Sequence, residues 1–172
     1  MEKRESLFYP ASVEARLAGG RRIIAGLIPY NSWSQDLGGF VESIAPGAFT
    51  RALSGAEPVV LVRAHLDHEI IASTSGGSLT LRDSAQGLRF EAVLRETEPQ
   101  VDLFEMIRRD APEVSFGFIV RKDSWPTNTT RRLEDVRLLE ITVGLARGQA
   151  AYPDAVAEAA VQIGRASCRE RV

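Results

Sequence analysis

Short stretches in which large apolar residues alternate with small or polar ones recur along this chain. A two-residue period is the signature of a strand with one face turned to a core. In residues 112–120, Val114, Phe116, Phe118 and Val120 alternate with Ser115, Gly117 and Ile119, so a half-buried strand would carry Ser115 on its small-residue face. In residues 136–143, Leu139, Ile141 and Val143 stand opposite Leu138, Glu140 and Thr142. Residues 12–17 and 21–30 alternate or run apolar on either side of Gly19-Gly20, which reads as a hairpin with the second strand the more buried. Pro29 marks the end of that strand or an edge position.

The remaining segments extend the pattern. Residues 78–82 and 88–94 form a second hairpin whose connector holds Asp83 and Gly87, and residues 58–62 are a continuous apolar run that delivers His65 at its end. Two helices are expected. One covers residues 46–53, with Pro46 in the first turn and Phe49 and Leu53 on one face. The other covers residues 100–109, with Val101, Phe104 and Ile107 at helical spacing, acids early and Arg108-Arg109 late. Residues 31–39 and the polar stretch around Pro126 and Asn128 are expected as loops. Many short strands with few helices predict an α+β fold, mainly an antiparallel β-sheet or barrel with peripheral helices.

With 172 residues, 44% hydrophobic and 26% charged, the chain suits one domain able to bury a core without staples. The formal charge of −2 gives no basic field for nucleic acid or an anionic membrane. No run reaches the roughly 20 apolar residues of a membrane span, and the polar, acidic start does not resemble a signal peptide, so a cytoplasmic protein is expected. Residues 163–172 read as translated sequencing-adapter sequence. The domain is therefore expected over residues 1–162, with the natural chain continuing differently, and Cys168, the single cysteine, carries no functional weight.

A serine hydroxyl needs a base to become a nucleophile, and the chain has only two histidines, His65 and His68. A carboxylate such as Glu140 orients a histidine in a nucleophilic triad, although the plainer reading of the face with Leu138, Glu140 and Thr142 is a solvated one. His65, Asp67 and His68 also invite a metal-dependent hydrolase. That reading lacks helical spacing and a third ligand. No phosphate-cradling glycine loop is present, and no cofactor or metal is called for.

Several separated stretches then fall into one order: residues 26–30, 40–49 (Phe-Val-Glu-Ser-Ile-Ala-Pro-Gly-Ala-Phe), the apolar run into His65, residues 79–90, Val114-Ser115-Phe116-Gly117-Phe118, and residues 138–143 through 151–155. In this the chain resembles the prohead maturation proteases of tailed bacteriophages, over roughly residues 20–155. The resemblance implies an assemblin-like fold and a serine endopeptidase that cleaves scaffold protein, or the scaffolding segment of the major capsid protein, inside an assembling shell in the infected host. By that resemblance Ser115 is the nucleophile, His65 the base, Glu140 the third member, and Arg147 a candidate for oxyanion stabilisation.

The family's histidine is often followed directly by aspartate. Here Leu66 intervenes before Asp67, so His68 stays open as the alternative base. Homodimerisation is open too. A rival from another class is a non-catalytic capsid-assembly module of the same fold, in which the three residues do not converge.

Overall fold

The alternating segments become strands, and the strands join in one mixed sheet. The computed structural model describes residues 4–63, 69–110 and 113–145. In chain order the elements are β1 (Arg4–Ala18), β2 (Arg21–Pro29), β3 (Val41–Ile44), α1 (Thr50–Leu53), β4 (Val60–Arg63), β5 (Ile70–Ser73), β6 (Leu79–Ser84), β7 (Gly87–Val93), α2 (Glu98–Asp110), β8 (Glu113–Thr127) and β9 (Thr130–Leu145).

Strands neighbour one another in the order β5-β4-β9-β8-β1-β2-β7-β6, with β3 added on β9. Most pairs are antiparallel, while β3 and β4 run parallel to β9. The path begins at β5 and ends at β6, which are successive in the chain. Their connecting turn is closed by the Ser78 N–H donating to the Ser73 carbonyl at 3.2 Å, so the sheet curls until its two ends meet. The expected α+β class, with a mainly antiparallel sheet, is what the chain forms.

Both expected hairpins are present. Gly19 and Gly20 have φ of +56° and +75°, the left-handed pair that a two-residue turn between twisted strands requires. In the second hairpin Gly87 lies opposite Pro29 so closely that a Cβ there would come within 2.1 Å of the Ile28 carbonyl oxygen. Helix α2 carries Glu98 in its first turn and Arg108 and Arg109 in its last, each charge complementing the end it occupies. It buries Leu103, Phe104 and Ile107.

Four expectations change. Residues 46–49 form a turn and the helix begins only at Thr50, because Gly47 at φ +88° cannot continue a right-handed helix and Thr50 Oγ1 caps its carbonyl. Strand β1 starts at Arg4 instead of residue 12: its first half pairs with β8 and its second with β2, with a register shift between Phe8 and Ala11. The polar stretch around Pro126 is strand up to Thr127, held by cross-strand bonds such as Ser124 to Glu134 (2.7 Å) and Lys122 to Glu134 (2.8 Å). Strand β5 was not anticipated. It is four residues long and too short for its alternation to register.

The outer part of the β8–β9 hairpin is anchored by one arginine. The guanidinium of Arg131 meets Asp123 at 2.6 Å, Glu5 at 2.9 Å and the fully buried Glu42 at 3.4 Å, so it ties β9 to β8, β1 and β3. Burial works to lower its pKa, and the hydrogen bonds to Asp123 and Glu5 outweigh that, so the proton is held more tightly than usual. Inside the sheet, Phe49 packs edge-on to Phe116, and Phe116 lies against Phe118 with ring centroids 5.1 Å apart. Tyr30 stacks on Phe49 and donates its hydroxyl to Asp83 at 2.6 Å.

Candidate active site

Strands β8 and β9 are neighbours in the middle of the sheet, and their register sets the site. Ser115 pairs with Thr142, Phe116 with Ile141, Gly117 with Glu140, and Phe118 with Leu138. Directly opposed residues in an antiparallel ladder project to the same side. Ser115, Gly117, Glu140 and Thr142 therefore share one face, and Phe116 and Ile141 share the other.

The step from Glu140 to Leu138 between consecutive residues of β8 makes Leu139 a bulge residue. This corrects the simple alternation read from the sequence, because Leu138 lies with Phe116 and Phe118 and not with Glu140. The solvated reading of that face fails as well. Leu138, Glu140 and Thr142 are all buried, Glu140 with 4% of its surface exposed, and Ser115 is fully buried instead of half-buried on an open face. A carboxylate so enclosed is costly to bury unless neighbouring polar groups compensate it.

Room for that carboxylate comes from Gly117. A Cβ at this glycine would lie 3.1 Å from Glu140 Cγ, 3.3 Å from Cδ and 3.2 Å from Oε1, so the glutamate side chain lies across the glycine beside Ser115. The polar hydroxyl of Thr142, directly across from Ser115, completes a polar strip in an otherwise apolar region. Sequence reading had not singled out Gly117 or Thr142. A glycine inside an alternating strand was the available signal, since it marks a place of close approach.

Strand β4 lies on the other side of β9, with Val60 beside Glu140, Val62 beside Thr142 and Arg63 beside Val143. The chain thus leaves β4 next to the rung that bears Ser115, two residues before His65. His65, Asp67, His68 and Arg147 themselves lie outside the described residues. Beyond Thr142, Gly144 lies within β9 with a φ of +81°, which suits glycine, where the pairing with β8 shifts register between Ser115–Thr142 and Glu113–Leu145. A Cβ at Gly144 would meet Met106 Cε of α2 at 3.1 Å.

Fold and site together define a class: a curled, mixed α+β sheet that carries a buried serine and a buried glutamate on one face of two central strands. The family model of the caudovirus prohead serine proteases matches residues 11–167, and the chain belongs to that family. Comparison with curated proteins and with solved structures gave no match. Membership of a prohead protease family implies capsid-related substrates. Among the described residues no helix is long and apolar enough to cross a membrane.

Proposed function

We propose that this chain is an active serine endopeptidase that cleaves scaffold protein, or the scaffolding segment of the major capsid protein, during procapsid maturation in the infected host. The observation that carries this reading is the β8–β9 register, which sets the buried Ser115 one rung from the buried Glu140 on the same face, with only Gly117 and Thr142 between and beside them. Family membership supplies the reaction class.

The chemistry is acyl transfer. Ser115 Oγ attacks the peptide carbonyl carbon while His65 accepts the hydroxyl proton. The C–N bond then breaks as His65 returns that proton to the leaving amine, and water repeats the sequence to release the acid. Glu140 fixes the imidazole and stabilises its protonated form. Backbone N–H groups stabilise the oxyanion of the tetrahedral intermediate, and Arg147 is the candidate side chain for the same role. The exit of β4 beside the Ser115–Thr142 rung supports His65 as the base, since the segment that follows begins within two strand widths of the serine, about 10 Å. Full burial of Ser115 means that a peptide reaches it only by displacing what covers the hydroxyl.

The test is co-expression of the full chain with its own capsid and scaffold proteins, with cleavage followed by intact-mass spectrometry. Discrete cleavage that vanishes in Ser115→Ala is expected. Cleavage that persists in this variant, or never appears with the wild-type chain, would remove the assignment.

A further inference from the structure

We propose that Gly117 is a positioning residue for the reaction: its missing Cβ forms the slot in which the Glu140 side chain lies, and so sets the place of the carboxylate beside Ser115. The inference rests on the reading of Glu140 as the third member of the triad.

Glycine in the middle of a strand weakens it, because its backbone loses more freedom on folding and it offers no side chain to pack. A strand glycine is often explained by a left-handed backbone, but Gly117 is not among the positive-φ residues of this chain. Alanine would suit its backbone as well or better. What opposes alanine is space, and the three atoms nearest the would-be Cβ all belong to one residue: Glu140 Cγ, Oε1 and Cδ, at 3.1, 3.2 and 3.3 Å. Contacts this short need the neighbour to give way by a few tenths of an ångström. Glu140 has little freedom to do so, since it is buried on a central strand flanked by β8 on one side and β4 on the other.

A displaced carboxylate holds the imidazole less well: a misplacement of about 1 Å at a catalytic constellation can cost about a hundredfold in rate, so a few tenths of an ångström should cost on the order of three- to tenfold. The same displacement lowers the pKa of the base, because a nearby carboxylate favours the charged imidazole. The pH at which the serine becomes reactive should then fall, an effect that mere loosening of the fold would not produce.

The test uses the full chain and a fluorophosphonate probe, which needs no knowledge of the natural substrate. Ser115 Oγ bonds to phosphorus, fluoride leaves, and the hydroxyl proton passes to the base. Labelling rates against pH and thermal melts are measured for the wild type, Gly117→Ala, Glu140→Gln, Glu140→Ala and the double variant Gly117→Ala/Glu140→Ala. Gly117→Ala is expected to slow labelling about three- to tenfold, to shift the pH midpoint downward as Glu140→Gln does, and to lower the melting temperature by about 5 °C. In the Glu140→Ala background the added Cβ should cost less than about twofold in labelling and nothing in melting temperature, since the crowding atoms are gone.

If Gly117→Ala alone does not fold, the double variant still decides. A melting temperature equal to that of Glu140→Ala supports the slot, and a fresh loss overturns it. Wild-type labelling in Glu140→Gln would defeat the triad reading and the proposal with it. Slow labelling in Glu140→Gln with wild-type rate and midpoint in Gly117→Ala would overturn the role of Gly117 alone.

Discussion

Ser115 on β8 and Thr142 on β9 face each other directly across the ladder, and both are fully buried. Beside them, Glu140 lies over Gly117 on the same face. Two polar side chains and a carboxylate are thus concentrated between strands whose other face carries Phe116, Phe118 and Ile141. That segregation lets one pair of strands serve the core and the site together.

The two histidines should separate cleanly by substitution. His65→Ala is expected to reduce capsid-protein cleavage by about 10⁴-fold or more, because base and nucleophile act as a unit. His68→Ala should stay within about threefold of wild type, the range expected of a residue that takes no part in the reaction. The reverse ordering in a cleavage time course would move the base to His68.

Gly87→Ala should destabilise the fold without touching the chemistry. Its Cβ would sit 2.1 Å from the Ile28 carbonyl oxygen and 2.8 Å from Pro29 Cα, both backbone atoms that cannot swing aside. The expected loss is about 2 kcal/mol or more in urea unfolding. An unchanged midpoint would mean that β2 and β7 separate more easily than their register implies.

Arg131→Met leaves the carboxylates of Asp123, Glu5 and the enclosed Glu42 without their shared guanidinium. Removing one partner of a buried pair costs about 3–5 kcal/mol. A loss under about 1 kcal/mol would show the cluster to be solvated like an ordinary surface pair.

Tyr30 has its pKa raised above the usual value of 10.0, first by burial and then by its hydrogen bond to Asp83 and that residue's charge. The folded state therefore keeps the phenolic proton after the unfolded state has begun to release it. This contribution is intact below about pH 10 and is lost as pH rises above it, at about 1.4 kcal/mol per pH unit. In Tyr30→Phe the fall of stability above pH 10 should be shallower by one proton. Identical slopes for wild type and variant would contradict the shift.

The legible parts of the fold were those in which a local residue forces a local geometry. Gly19-Gly20 fixed the first hairpin, and the spacing of Phe104 and Ile107 marked α2. The serine, too, stood out on its alternating strand. What escaped depends on partners distant in sequence. The bulge at Leu139, which separates Leu138 from Glu140, is set by pairing with β8. The strand character of residues 121–127 comes from facing β9 across a polar ladder. The start of α1 was missed because Pro46 is helix-compatible while the positive φ of Gly47 is visible only in three dimensions. The central place of Glu140 in the sheet follows from β4 pairing with the far side of β9, a parallel pairing that no local pattern announces.

The most direct measurement is the identity of the residue that a fluorophosphonate labels in the full chain, read by peptide mapping. A phosphonyl adduct on Ser115, lost in Ser115→Ala and strongly reduced in His65→Ala, is the outcome expected of a Ser115 nucleophile. An adduct on another residue, or labelling undiminished in Ser115→Ala, would contradict it.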